Sequence, residues 1–227
     1  MAIISISGII GSGKDTAASI IQELTPYHNW QIKKFAGKLK QIASILTNIP
    51  VDSFEDQDFK RTILPKDWSK AVLSTNVFDK EGGYSASVQD MSVRDFLQKL
   101  GTEAMRDGLH ENVWVNALFS DYKCINDSAR SSMGDVLNYS DCSFPNWIIT
   151  DTRFENELWA VKARQGITIK ILRDSENTVG TQHASETALN HINDWDYIIE
   201  NNGTLQELKQ KLFDILSEES LIKYTSF

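Results

Sequence analysis

An α/β fold organised around a phosphate-binding turn is predicted by three stretches of the sequence. The first begins as an apolar segment over 3–6 and passes through Gly8-Ile9-Ile10-Gly11-Ser12-Gly13-Lys14-Asp15-Thr16. It continues into Ala17, Ile20, Ile21 and Leu24, spaced as the buried face of a helix. The second is Trp147-Ile148-Ile149-Thr150-Asp151, an apolar strand ending in a carboxylate. The third is the alternation of Ile167, Ile169 and Ile171 ahead of Arg173. Strands interleaved with helical patterns read as a parallel sheet covered by helices.

The turn matches Gly-x4-Gly-Lys, a pattern in which glycines let backbone N–H groups converge on phosphate oxygens while a helix N-terminus and a lysine add positive charge. Gly8, Gly11, Ser12, Gly13, Lys14, Asp15 and Thr16 are therefore candidate ligands of a nucleoside triphosphate. The usual hydroxyl after the lysine is replaced by Asp15 and arrives only at Thr16. Asp15 can meet Mg²⁺ directly or through water, and both routes stay open here.

Thr25-Pro26 ends the first helix, and 30–35 reads as a second strand. Leu39, Ile42, Ala43 and Leu46 mark a helix with Lys38 and Lys40 near its start; Lys40 is either a solvated lysine or one aimed at a phosphate. Residues 50–68 are acidic, anchored by Phe54, Phe59, Leu64 and Trp68, and 70–90 reads as a hairpin or a mobile loop. This region looks like an insertion over the sheet, where a phosphate acceptor would be gripped. Ser92 and Asp95 open the next helix, with Val93, Phe96, Leu97, Leu100 and Ala104 as its apolar stripe. Arg94 and Gln98 share another face. Gly101-Thr102-Glu103 interrupts or kinks this helix before Arg106.

A helix over 111–122 follows, then a polar stretch over 123–145 containing Arg130, read as a mobile loop. Asp151 at a strand tip resembles a Walker B carboxylate that holds Mg²⁺; Arg153 and Glu157 lie just beyond it. Gly166 ends the intervening helix. After Arg173, residues 174–193 carry His183, Ser185, Glu186 and His191 and read as a lid. A last strand over 195–201 precedes a helix opened by Thr204 and Glu207, with Leu205, Leu208, Leu212 and Ile215 buried.

With 227 residues, 41% hydrophobic and 24% charged, the chain is of ordinary globular composition and long enough for a sizeable core. No apolar run approaches the ~20 residues of a membrane span, and no leader-like segment precedes the first strand, so a cytoplasmic location is expected. A net charge of −8 and a pI near 5.0 argue against nucleic acid as a partner. Anion binding must be local, and only seven arginines are available for it. Cys124 and Cys142 lack the spacing of a metal site and are expected to be free thiols in a reducing compartment.

Several of these stretches together resemble the deoxynucleoside monophosphate kinases of tailed bacteriophages. The matching pieces are Ser12-Gly13-Lys14-Asp15-Thr16, Phe35-Ala36-Gly37 with Leu39-Lys40, the run from Ser92-Val93-Arg94-Asp95 through Gln98 to Gly101-Thr102-Glu103, Thr150-Asp151-Thr152-Arg153, and His183-Ala184-Ser185-Glu186 with Asn201-Asn202-Gly203-Thr204. The resemblance implies a P-loop, nucleoside-monophosphate-kinase-like three-layer α/β/α fold with a five-stranded parallel sheet. It implies one kinase domain over 1–227: a core of 1–48 and 145–227, an acceptor-binding insertion at about 49–122, a mobile loop at about 123–145 and a lid at about 174–193. It also implies an ATP- and Mg²⁺-dependent transfer to a deoxynucleoside monophosphate, and a homodimer working in the host cytoplasm.

By the same resemblance Lys14, Asp15, Asp151, Arg153 and Arg173 are the catalytic set, with Asp15, Thr16 and Asp151 toward the metal. Lys40, Trp68, Arg94, Gln98, Arg106, Arg153 and Glu157 face the acceptor nucleotide. No arginine follows Arg173, so a second lid charge must come from Arg164, Arg130 or a partner subunit, or be absent. Two other functions compete: a kinase of another small phosphorylated metabolite, since animal-type phosphomevalonate kinases look similar around Gly13-Lys14-Asp15, and a non-enzymatic ATP-dependent switch.

Overall fold

A computed structural model describes residues 2–75, 84–125, 143–174, 188–189 and 191–222. Arg130, Cys142, His183, Ser185 and Glu186, with most of the expected mobile loop and lid, lie outside the described residues. In chain order the elements are β1 (Ile3–Ser7), α1 (Lys14–Leu24), β2 (Gln31–Lys33), α2 (Gly37–Thr47), β3 (Lys70–Thr75), β4 (Tyr84–Gln89) and α3 (Val93–Gln98). They continue with α4 (Val113–Phe119), β5 (Trp147–Ile149), α5 (Glu155–Lys162), β6 (Ile167–Leu172), β7 (Tyr197–Glu200) and α6 (Leu205–Glu218). Two compact units emerge: residues 1–35 with 115–227, and 36–114.

The first unit is built on a five-stranded sheet in the order β2-β5-β1-β6-β7, every pairing parallel. Every residue of β1 is buried, as expected for a central strand covered on both faces. Because side chains alternate along a strand, two separate cores result. Ile4, Ile6, Ile148, Ile169, Ile171 and Ile199 pack with Ala17 and Ile21 of α1 and Leu208 and Leu212 of α6. Ile3, Trp147 and Ile149 pack on the other side with Val115, Leu118, Phe119 and Val161. The predicted three-layer arrangement is thus present, and the parallel strands bring their C-terminal ends, where ligands gather in such sheets, to one edge.

The second unit contains the antiparallel hairpin β3–β4 and a core of Ala43, Phe54, Leu64, Val93 and Phe96. Helix α2 belongs to this unit, packing on the residues around Phe54 and on α3. Ser92 and Asp95 form the expected reciprocal cap: Asp95 N donates to Ser92 Oγ at 3.1 Å and Ser92 N to Asp95 Oδ2 at 3.4 Å. The interruption expected at Gly101 is a π-helical continuation, Lys99–Asp107. A Cβ on Gly101 would lie 2.8 Å from Leu39 Cδ2, and the Gly101 carbonyl accepts from Trp114 Nε1 at 2.9 Å.

Three expectations are adjusted. Helix α4 stops at Phe119, although Tyr122 still meets Trp147 edge-on at 4.7 Å between ring centres. Strands β2 and β7 are shorter than their apolar patterns, as edge strands commonly are. Cys124 is disulfide-bonded rather than a free thiol; Ile125 N donates to Ser143 O at 2.7 Å, so the chain closes on itself at this point.

Asp196 clamps β7 to β6. Its carboxylate accepts from Thr168 N at 2.7 Å and Thr168 Oγ1 at 2.6 Å, and from Lys162 Nζ at 3.3 Å. Burial pushes its pKa up, but these hydrogen bonds and the lysine charge outweigh burial and hold it below its ordinary value. A carboxylate depressed in the folded state contributes stability above the unfolded pKa of about 4 and loses it as pH falls through the lower folded value. Replacing Asp196→Asn is expected to lower Tm at neutral pH by about 2–4 °C, the equivalent of about 1 kcal/mol in a chain of this size. In thermal melts across pH the difference should shrink below about pH 4.

Candidate active site

The backbone between β1 and α1 leaves no room for side chains at two points. A Cβ on Gly8 would lie 2.5 Å from both Ile171 O and Ser12 Oγ. Gly13, the residue preceding α1, has φ +99°, and a Cβ there would lie 2.7 Å from Asn201 Nδ2. Only glycine takes both the left-handed conformation and the close approach without strain. Asn201, buried at the end of β7, donates from Nδ2 to Ser12 O at 2.8 Å and from its backbone N to Leu172 O at 2.7 Å. The turn is thereby held from β6 and β7 together.

This conformation directs the start of α1 toward the strand ends with no side-chain cap on its first turn, an arrangement suited to an anion. Lys14 Nζ reaches back over the turn and donates to Gly8 O at 2.6 Å and Ile9 O at 2.7 Å. Ser12 Oγ is buried and has no hydrogen-bond partner among the described residues. Asp15 and Thr16 are exposed in the first turn of α1. Asp151, past the tip of β5, accepts from Phe35 N at 2.7 Å, which holds the carboxylate against the end of β2. These donors are all oxygen, as a hard cation such as Mg²⁺ requires. Among the described residues no three His, Cys, Asp or Glu side chains cluster as ligands of a metal ion.

Beside the turn opens a cleft of about 310 Å³ whose lining includes Gly8, Arg153, Lys170, Arg173 and Leu189. Arg173 Nη1 donates to Gly11 O at 3.3 Å, linking the end of β6 to the turn. Next to it, Asp174 N donates to Asn202 Oδ1 at 2.8 Å and Asn202 Nδ2 to Asp174 Oδ2 at 2.7 Å. Arg164, one candidate for a second lid charge, is engaged elsewhere: its guanidinium lies 3.8 Å from the centre of the Phe119 ring and donates to Ala160 O at 2.8 Å. Burial there pushes its pKa down, against the opposing effect of Tyr122.

Glu157 is 3% exposed, and its Oε2 accepts from Arg153 N at 2.8 Å and Phe154 N at 3.2 Å. The carboxylate satisfies backbone donors at the start of α5, where negative charge is also favoured by the helix dipole, and so aims the backbone of Arg153. His191, from the segment read as a lid, bonds through Nε2 to Glu155 Oε1 at 2.5 Å.

The remaining candidates lie on the second unit. Lys40 is buried and paired with Glu55 at 2.5 Å. Trp68 packs edge-on against Phe96, with 4.9 Å between ring centres. Arg94 Nη2 donates to Gln57 Oε1 at 3.3 Å. Gln98 closes α3, and Arg106 sits in the last turn of the π-helical segment, both half-buried. Lys170 and Asn201 are functional residues that periodicity and motif do not single out; the one visible signal is a lysine flanked by isoleucines within a strand.

A family model described as deoxynucleotide monophosphate kinase matches residues 40–212. The deoxynucleotide monophosphate kinase of Enterobacteria phage T4 is 26% identical over 257 residues, spanning 95% of this chain and 99% of that protein. The protein of the same name from Escherichia phage RB69 is 23% identical over 260 residues, spanning 95% of this chain and 100% of its own. Among solved structures, shikimate kinase from Acinetobacter baumannii in complex with shikimate is 16% identical, with 97% of this chain and 96% of that one covered and a TM-score of 0.43.

Two substitutions test the geometry. Gly13→Ala places a methyl group against Asn201 in a left-handed conformation. It is expected to weaken ATP binding by roughly five- to a hundredfold by calorimetry if the turn relaxes to relieve the strain of about 1–3 kcal/mol. Glu157→Ala strips two backbone donors of their buried acceptor and should lower Tm by several degrees, the consequence of about 1–3 kcal/mol. An unchanged melt would show that the carboxylate does not hold the helix start.

Proposed function

Because this chain belongs to the deoxynucleotide monophosphate kinase family, we propose that it transfers the γ-phosphoryl group of ATP to a deoxynucleoside monophosphate, yielding ADP and the deoxynucleoside diphosphate. The chain is a phosphotransferase. The observation that carries the detailed reading is the cleft at the strand ends, which combines the glycine turn with Arg153 and Arg173. Two anionic reactants need that concentration of donors and cations, because phosphoryl transfer asks the protein for alignment and charge neutralisation more than for covalent chemistry.

Each residue then has a task. The turn amides and the start of α1 receive the donor phosphates, and Lys14 exchanges its contacts with Gly8 O and Ile9 O for the β- and γ-phosphates. Arg153, its backbone held by Glu157, takes the acceptor's phosphate. An oxygen of that phosphate attacks the γ-phosphorus in line; the bond to the bridging oxygen of ADP breaks, and the leaving charge is met by Lys14 and the turn amides. Arg173, already against Gly11, is next to the transferring group. Asp15, Thr16 and Asp151 would hold Mg²⁺, which supplies charge neutralisation of the phosphates when bound.

Recognition of the acceptor is assigned to Lys40, Trp68, Arg94, Gln98 and Arg106, together with Arg153 and Glu157. The substrate is a small nucleotide rather than nucleic acid, in keeping with the net charge of −8. Among the described residues no helix is long and apolar enough to cross a membrane. A homodimer in the host cytoplasm completes the proposal.

The test is a coupled ADP-release assay with Mg·ATP and each deoxynucleoside monophosphate, each ribonucleotide counterpart and mevalonate phosphate. Turnover is expected with one or more deoxynucleotides and should fall by about 100-fold or more in Lys14→Ala. Turnover with mevalonate phosphate alone, or ATP hydrolysis indifferent to every acceptor, would sink the reading.

A further inference from the structure

The missing second cation has a candidate in the sheet itself. Lys170 pairs in register with Ser7, the last residue of β1, one position before Gly8. It lines the same cleft as Gly8, Arg153 and Arg173. Its side chain is half-buried, and its contacts are with neutral groups: Nζ donates to Leu189 O at 3.2 Å and lies 5.6 Å from the centre of the Trp195 ring. Among the described residues no carboxylate offsets the burial, which pushes its pKa down.

An ammonium withdrawn from water without a counter-charge is unfavourable unless something repays the lost hydration. An aliphatic residue would fill this half-buried position without that cost. The charge is retained in a cleft whose other charged lining residues are Arg153, Arg173 and Asp174, the last hydrogen-bonded to Asn202, and the chemistry that satisfies the lysine is an anion. We propose that Lys170 binds a phosphoryl oxygen of the nucleotide in this cleft, supplying from strand β6 the second positive charge that no arginine after Arg173 provides.

The assignment extends the kinase reading, since it presumes that the cleft receives phosphoryl groups. Unlike a lid cation, a strand-borne lysine is in place before any closure. It contributes to ground-state binding of polyphosphate as well as to transfer. It also has an apo-state signature, because the unpaired charge is a burden until the anion arrives.

The experiment uses the full chain and inorganic tripolyphosphate, a probe with no base or sugar, so that it is independent of which acceptor the enzyme uses. Calorimetric affinity is measured for wild type, Lys170→Met and Lys170→Arg, with Lys170→Gln should the methionine variant fail to fold, and Tm is recorded without ligand. The neutral variants should bind roughly ten- to hundredfold more weakly, the loss of one hydrogen bond between charged groups. Lys170→Arg should keep most of the affinity, and the unliganded Tm of Lys170→Met should be unchanged or raised. Equal affinity in wild type and the neutral variants overturns the proposal, and a lowered Tm alongside it would identify Lys170 as a packing strut for Leu189 and Trp195. Deoxynucleotide turnover with unaltered tripolyphosphate binding in Lys170→Met would remove Lys170 from the site while leaving the kinase reading intact. Lysine-dependent tripolyphosphate binding without deoxynucleotide turnover would do the reverse.

Discussion

The close approach of bare backbone where β1 turns into α1 is the constraint on which the site depends. Gly8 lies against Ile171 O, and Gly13 lies against the Asn201 amide. These contacts require β6 and β7 to be where the parallel order puts them, to one side of β1. Once they are there, Asn201 can hold Ser12 O, Arg173 can reach Gly11 O, and Asp174 and Asn202 can tie the two strand ends together. The turn is pre-organised by its neighbours, and the directional donors of an anion site need no rearrangement to be assembled.

Charge follows the same geometry. The chain is acidic as a whole, yet Arg153, Lys170 and Arg173 share one cleft. The buried carboxylate near them, Glu157, is occupied with backbone donors at the start of α5. It neutralises the helix start, and the cleft, lined by three basic side chains and the Asp174 carboxylate, stays net cationic. A field of this kind is local: it draws polyphosphate to the strand ends without making the protein a polyanion binder.

Much of this was legible from residue pattern. Period-3.6 apolar spacing marked α1 and α6 because each has one face on the sheet, and the buried run of β1 marked a central strand. The Ser92–Asp95 and Thr204–Glu207 caps were readable because capping is a contact between residues three apart. Gly101 announces an interruption, but only the fold shows that it takes π-helical form and that Leu39 and Trp114 pack around the glycine. Glu157 reads as a ligand from its position after Asp151, and only the fold shows that its Oε2 also serves the backbone donors at the start of α5. Arg164 looked like a spare cation, and the Phe119 ring takes it. Cys124 read as a free thiol because a disulfide needs two chain positions brought together, which spacing does not report.

By itself the sequence determined the order of strands and helices, the glycine turn with its lysine, the carboxylate at the strand tip and the absence of an arginine after Arg173. These are properties of neighbouring residues, governed by backbone conformation and local periodicity. Which side chains face one another was decided by tertiary structure alone. Parallel pairing places Lys170 level with Ser7, 163 positions away by number but adjacent in the sheet, and brings Asn201 to Ser12. Strand register acts between distant segments, and with it comes the desolvation that turns a lysine in a strand into a candidate ligand for phosphate.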